Sequence, residues 1–277
     1  MVELELPKLG VAGSIPVVRL SGGIVLALLL LIGQINWTSL VVRCHFVVSA
    51  EIQRLEFADT LLQIVKGIDL DPVTKIGDII SSAQEKELLQ IIRKVKLRES
   101  GFLSDGRKEL LVELPLTGEI LDLITPTDIK PGEPVVQRYC PCCGQPWPKG
   151  RPVPAGLNLL IKDEVKEEYT GIVFDCSSFL FKPVLFPRVI NESGDIIYDL
   201  SFADRSQVVS CGLVNYLHGD DQLLVNERVG KKPLRVKVIK ILNGNLVITN
   251  RDGKIVHGSK RNLDLLRQCR VSVIAGY

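Results

Sequence analysis

The stretch PTDIKPGEPVVQRYCPCCGQPWPKGRPVP, residues 126–154, holds eight of the chain's 15 prolines. Proline fixes φ and carries no backbone N–H, so this stretch forms neither a helix interior nor a central strand. It therefore reads as a connector, and the chain divides around it into one piece at about residues 50–124 and another at about 157–277.

Each piece mixes helix and strand signals. In the first, Ile52, Leu55, Ala58, Leu62 and Val65 recur at helical spacing, with Gly67 placed to end the helix. Ser82 followed by Glu85 gives a capping-box pattern ahead of Leu88, Ile91, Ile92 and Val95. Alternation at residues 97–99 and 110–114, joined through Asp105-Gly106, predicts a hairpin, and residues 117–124 a short closing helix. The expected order is α-β-α-β-β-α. In the second piece, residues 169–175 form an apolar run, residues 184–190 are expected to pair with 196–198, and 206–217 looks helical. Residues 235–242 meet 246–249 through Asn243-Gly244, a strong two-residue hairpin turn. A short helix over 260–267 and a strand over 270–274 complete the reading. The fold class is α+β with mainly antiparallel sheets, arranged as residues 1–50, 51–124, a linker at 125–156, and 157–277.

Composition narrows the function. The 277 residues are 46% apolar and 24% charged, with a net charge of +2. That is enough apolar material for a real core and excludes a disordered or disulfide-framework chain. Near-balanced charge argues against a dedicated nucleic-acid partner. Three histidines and 5% aromatic residues leave little for a histidine-metal centre. No Walker loop, G-x-G-x-x-G, H-E-x-x-H or G-x-S-x-G occurs.

The segment before residue 51 reads as an address. Residues 24–32 (IVLALLLLI) form an unbroken apolar run of nine, the length of a signal-peptide core and too short to span a bilayer. Val48-Ser49-Ala50 supplies small residues before Glu51, which suits cleavage there. The alternatives are an uncleaved anchor over residues 24–42, which would contact the membrane, and a buried core segment. Arg43 before Cys44 spoils a lipoprotein processing site, so lipidation is not expected.

The sharpest local pattern is Cys140-Pro141-Cys142-Cys143-Gly144. Cys140 and Cys143 frame a knuckle turn in which both thiolates can reach one zinc ion at about 2.3 Å, and the glycine allows the left-handed conformation that the turn needs. A structural zinc wants four ligands. The others would come from Cys176, Cys211, Cys269, His218 or a second copy of the chain. A Cys140–Cys143 disulfide or free thiols are the alternatives. Cys176, Cys211 and Cys269 lie in or beside apolar segments and are expected in the core; a Cys211–His218 nucleophile pair is only generic in spacing. Asp175-Cys176-Ser177-Ser178 reads as a turn after a strand. Lys231, Lys232, Arg235, Lys237, Lys240, Arg261, Arg267 and Arg270 form a basic set expected to be a solvated face, with an anionic surface as the functional alternative.

The order of features over residues 50–124 resembles the small envelope lipoprotein family associated with bacterial flagellar motility and outer-membrane surface antigens. The residues carrying it are Ala50-Glu51, Phe57-Ala58, Gly67-Ile68-Asp69-Leu70-Asp71, Asp105-Gly106 and residues 111–118 (LVELPLTG). The second piece is similar to a domain that often follows in such proteins, through Tyr169-Thr170-Gly171, Asp175, Lys182-Pro183, Pro187-Arg188-Val189, Gly194, Arg228-Val229-Gly230, Pro233-Leu234, Asn250 and Cys269-Arg270-Val271. Two departures stand out: no lipidation site is present, and Asp175-Cys176-Ser177-Ser178 stands where relatives carry Asp-Ala-Arg-Gly or something close.

The resemblance implies an exported, non-enzymatic protein, periplasmic or anchored to the inner membrane, that associates with itself or with envelope proteins. The rival expectation is a cytoplasmic zinc-knuckle protein with a nucleic-acid or regulatory role. A redox C-x-x-C enzyme ranks last, because Gly144, Pro146 and Pro148 prevent the helix that such a motif prefers.

Overall fold

The computed structural model describes residues 32–48, 54–102, 108–162, 167–219, 222–223 and 226–276. The apolar run at 24–31, the Ser49-Ala50 site and the Asp105-Gly106 turn lie outside these residues.

The first domain begins earlier than expected. Strands β1 (Ile32–Asn36) and β2 (Val41–Val48) form a hairpin that joins β3 (Leu97–Phe102) and β4 (Lys108–Pro115) in an antiparallel sheet of order β1-β2-β4-β3. Strand β2 is central. Val42, Cys44 and Phe46 are fully buried, while Arg43 and His45 between them face out, the period-2 pattern of a sheet with one covered face. Arg43 lies opposite Glu113 and pairs with it at 2.8 Å. Residues 1–50 are therefore not a detachable address: cleavage before Glu51 would take two of four strands from this sheet. Nor do residues 24–42 form a membrane helix, since residues 32–42 are strand and turn. Among the described residues no helix is long and apolar enough to cross a membrane.

Helices cover one face of the sheet. Helix α1 (Arg54–Lys66) buries Ala58, Leu61, Leu62, Ile64 and Val65, and α3 (Ser82–Arg93) buries Leu88 and Ile92. Lys66 of α1 pairs with Glu85 of α3 at 2.8 Å. The capping box sits one residue before its expected place. The Gln84 amide donates to Ser81 Oγ, and the Ser81 amide donates to Gln84 Oε1. Where a strand was expected between these helices stand a single Asp69–Lys75 bridge and the short α2 (Ile76–Ile79). Helix α4 (Glu119–Ile124) closes the domain with Ile120, Leu121 and Ile124 inward.

The second domain corrects the expectation of mainly antiparallel sheets. Strands β7 (Ile172–Leu180), β10 (Asn215–Leu217), β11 (Leu234–Lys237) and β14 (Val271–Gly276) form an all-parallel sheet of order β10-β14-β7-β11. Its central strands are buried on both faces: Val271, Val273, Ile274 and Ala275 are all buried, as are Ile172, Val173 and Phe174, and the one polar residue among them, Ser272, donates to Asn215 Oδ1 at 2.6 Å. Such strands need cover on both sides, which is the usual setting of parallel sheets. A mixed sheet of order β12-β13-β8-β9 packs nearby, from β8 (Val189–Asn191), β9 (Ile196–Tyr198), β12 (Lys240–Leu242) and β13 (Asn245–Ile248). Residues 235–242, expected as one strand, split between the two sheets. Val238 N–H donates to Asp175 O, and Ile239 N–H donates to Val247 O.

Helix α5 (Arg205–Cys211) ends at Gly212, whose φ of 80° stops the helix expected to run on to Leu217. Helices α6 (Asn250–Val256) and α7 (Lys260–Arg267) precede the last strand. Strand β5 (Arg138–Tyr139) of the connector pairs antiparallel with β6 (Leu160–Ile161) just past it, each two residues long.

The connector does not hold the two domains apart. Trp37, in the β1–β2 turn, packs against both hydrophobic cores and meets Tyr216 edge to face at 5.7 Å between ring centroids. Tyr216 N–H donates to Trp37 O, and Thr38 Oγ1 donates to Tyr216 O at 2.7 Å. Leu185 belongs to the first core although it lies in the second domain. The Leu185 and Phe186 amides donate to Asp69 O and Leu70 O. Arg205 Nη1 pairs with Asp122 at 2.6 Å, and the Gly118 amide donates to Val209 O. At the Asn243-Gly244 turn both residues have positive φ, 50° and 76°. A Cβ on Gly244 would collide with Pro72 of the first domain, so the turn requires glycine twice over.

Candidate functional site

The cysteine turn forms as expected. Gly144 N–H donates to Cys140 O and Cys140 N–H to Gln145 O, both at 2.9 Å, while Trp147 N–H donates to Arg138 O at 2.7 Å. Gly144 takes φ 67°. Cys142 and Cys143 are exposed and Cys140 is partly so. The Cys140 thiol lies below its usual range, chiefly because the Cys143 and Cys142 backbone amides stabilise its thiolate. The further ligands considered for zinc are elsewhere. Cys176 and Cys269 are buried in the second core, with Cys211 packed against it. Among the described residues no group of three or more His, Cys, Asp or Glu side chains is placed to hold a metal ion. Cys140 and Cys143 thus supply two thiolates, half of a tetrahedral zinc set.

A second arrangement is built from residues far apart in sequence. Cys211 is the last residue of α5. Cys269 follows α7 with φ 54°, a left-handed conformation unusual for a residue with a side chain. Arg228 gathers both. Its Nε donates to Cys269 O at 2.7 Å, its Nη1 donates to Cys211 O at 3.0 Å, and its Nη2 donates to Gly212 O and lies 3.7 Å from Cys211 Sγ. The Cys211 thiol donates to Gln207 O at 3.1 Å. The neighbouring Cys269 thiol, with help from Arg228 and Ser210 and against the opposing effect of burial, lowers Cys211 to about 6. Cys269 is raised, first because its proton is held toward Cys211 and then by burial. Cys211 is only half-buried, whereas Cys269 is fully enclosed. The expectation that both lie in the core holds for Cys269, while Cys211 packs at the margin of that core. His218, the partner weighed for Cys211, lies just past β10, and its amide donates to Gln222 Oε1.

Other polar groups serve the architecture. Burial alone would raise the Asp175 carboxyl, but the Ser177 hydroxyl and amide together with Arg235 hold it below its usual value. Arg235 Nη2 pairs with it at 2.7 Å across neighbouring strands. Arg270 Nε donates to Thr170 O at 2.7 Å, and Arg261 Nε donates to Tyr169 O. Several cations of the basic set are thereby engaged within the domain.

His257 had no signal in the sequence. It is fully buried. Its Nδ1 accepts from the Val135 amide at 3.0 Å and its Nε2 lies 2.8 Å from Ile197 O, so the neutral ring with hydrogen on Nε2 satisfies both. The connector is pinned there to α6 and β9. Between the connector and the second domain runs a groove of about 330 Å³, walled by Val135, Arg138, Trp147 and Lys149 on one side and Asp195 and Phe202 on the other.

Residues 171–276 match a family model described as Treponema pallidum Tp0624, second domain. The match begins just before β7 and ends with β14, so it takes in both sheets of the second domain and the Cys211–Arg228–Cys269 cluster. It covers well under half of the chain, so it shows that this part is similar to a bacterial domain. No curated protein matches the chain.

Proposed function

We propose that the chain is an exported, non-enzymatic interaction protein of the bacterial cell envelope, working through its surfaces in association with itself or with other envelope proteins. The observation that carries this reading is the apolar surface around the domain junction. Val73 is 89% exposed beside Pro72, the residue that receives the Gly244 turn, and that turn leads from β12, an edge strand with Leu242 exposed on it and Ile239 exposed just before it. An edge strand with unpaired backbone groups and apolar side chains is suited to receiving another chain. The similarity of residues 171–276 to a Treponema pallidum domain supports a bacterial setting, and the resemblance to flagellum- and outer-membrane-associated lipoproteins supports a location outside the cytoplasm. In this reading an export signal acts upstream of Ile32, because β1 and β2 belong to the folded domain.

Fractionation of cells with light scattering on the purified chain tests the proposal. Recovery from the envelope or periplasm as an oligomer or a complex supports it. Recovery from the cytosol as a monomer that binds nucleic acid in a salt-dependent way would replace it with the zinc-knuckle regulator reading.

A further inference from the structure

We propose that Cys211 and Cys269, held by Arg228, are a redox-active dithiol that closes to a disulfide by exchange with a low-molecular-weight disulfide of the glutathione class. The inference stands on three features of geometry. Residues 211 and 269, far apart in sequence, are brought together by one guanidinium that binds the backbone carbonyls of both and lies 3.7 Å from Cys211 Sγ. Cys211 is partly exposed, while Cys269 is fully buried. Cys269 adopts a left-handed backbone in the turn after α7. An accessible attacking thiol with an enclosed resolving thiol beside it is the arrangement that exchange chemistry uses.

The step balances as follows. The Cys211 thiolate attacks one sulfur of the small disulfide, forming a mixed disulfide and releasing one small thiolate. Cys269 gives up its proton to solvent and attacks Cys211 Sγ, releasing the second small thiolate. The two protein thiols are oxidised by two electrons, and the small disulfide is reduced to two thiols. The guanidinium beside Cys211 Sγ favours its thiolate, so Arg228 is a positioning residue.

The bond would staple the last residue of α5 to the turn before β14. Helix α5 also carries the contacts to the first domain through Arg205 and Val209. Oxidation would thus fix the helix on which the first domain rests to the parallel sheet. This inference is independent of the surface reading above.

The test uses the full chain, reduced, freed of reductant and incubated with oxidised glutathione at neutral pH. Peptide-resolved mass spectrometry follows after alkylation of remaining thiols. The expected product links the Cys211 and Cys269 peptides and is lighter than the reduced pair by two hydrogen atoms. In Cys269→Ser a glutathione adduct accumulates on Cys211, and in Cys211→Ser residue 269 stays unmodified. In Arg228→Gln, reaction at Cys211 slows by about threefold or more at pH 7 and recovers at pH 9, a pH dependence that a purely structural loss would not produce. Exposed Cys142 and Cys143 serve as internal clocks. If both Cys211 and Cys269 stay reduced after those clocks are fully modified, or if Cys269→Ser gives no Cys211 adduct, the proposal is overturned. Should Arg228→Gln not fold, the two serine variants decide alone.

Discussion

Starting the chain at Glu51, the cleavage product that the sequence first suggests, should unfold the first domain, whereas starting it at Ile32 should not. The missing piece would be β1, its turn and β2. Leu40, Val42 and Phe46 are each at most 3% exposed and lie in the first core. Full burial of such a side chain is worth about 1.5–3 kcal/mol, so these three contribute roughly 4–9 kcal/mol before Cys44 is counted. Removal of β2 also strips the partner from one edge of β4 along its whole length, since the register runs from Val41 opposite Pro115 to Val48 opposite Lys108, and leaves only β3 on its other edge. A domain is typically stable by about 5–15 kcal/mol in total, so the loss is as large as what holds it folded.

Limited proteolysis and hydrogen exchange read this region by region. In a chain of residues 32–277, amides of α1, α3 and β4 should be protected. In a chain of residues 51–277 the same amides should exchange rapidly and the segment should be cut, even if the second domain persists. A point-mutant counterpart is Phe46→Ala in the full chain, with an expected cost of about 3–5 kcal/mol by urea denaturation. Equal protection of residues 58–121 in both truncations would refute the reasoning, because it would mean that β2 is dispensable to the core it fills.

Burial pushes His257 down to about 4, against the weaker opposing effect of its Ile197 hydrogen bond. The unfolded state therefore binds the proton first, so stability is complete above about pH 6.5 and is lost as pH falls toward 4, by about 3 kcal/mol; in His257→Asn that part of the urea-midpoint pH profile should flatten. Gly244→Ala forces a Cβ into a positive-φ site and against Pro72, and should cost about 2 kcal/mol, with increased exchange at the Leu185 and Phe186 amides that dock on the first domain. For the cysteine turn, elemental analysis should give at most one zinc per two chains, lost in Cys140→Ser, because this turn offers two thiolates; one zinc per chain would require ligands from outside the described residues.

Much of the second domain was legible wherever local chemistry decides. Asn243-Gly244 was readable as a hairpin because only a few residue types accept positive φ at both positions, and the helix at 260–267 was readable from its period. The β2 strand was equally visible in principle: Val42, Cys44 and Phe46 alternate with Arg43 and His45. The apolar run just upstream drew the reading toward export and hid that alternation. The parallel sheet was missed for a different reason. Residues 273–275 and 172–174 are short apolar runs, the mark of strands covered on both faces, but runs of that kind do not reveal their pairing direction. Arg228 with its two cysteines, and His257 with Val135, are products of tertiary folding, since their partners lie 17, 41 and 122 residues away.

These tertiary contacts change what the proline-rich connector means. Prolines do interrupt regular structure across residues 126–154, yet the domains they separate in sequence are joined in space by Trp37, Leu185 and Arg205. The first half of the connector is itself bound, with Gly132 N–H donating to Ser201 O and Val135 N–H to the buried His257 ring. A flexible tether would need none of these contacts. Helix α5 bears on α4 of the first domain through Arg205 and Val209 and ends at Cys211; a disulfide of the kind proposed between Cys211 and Cys269 would therefore act on the domain junction through that short helix rather than through the connector.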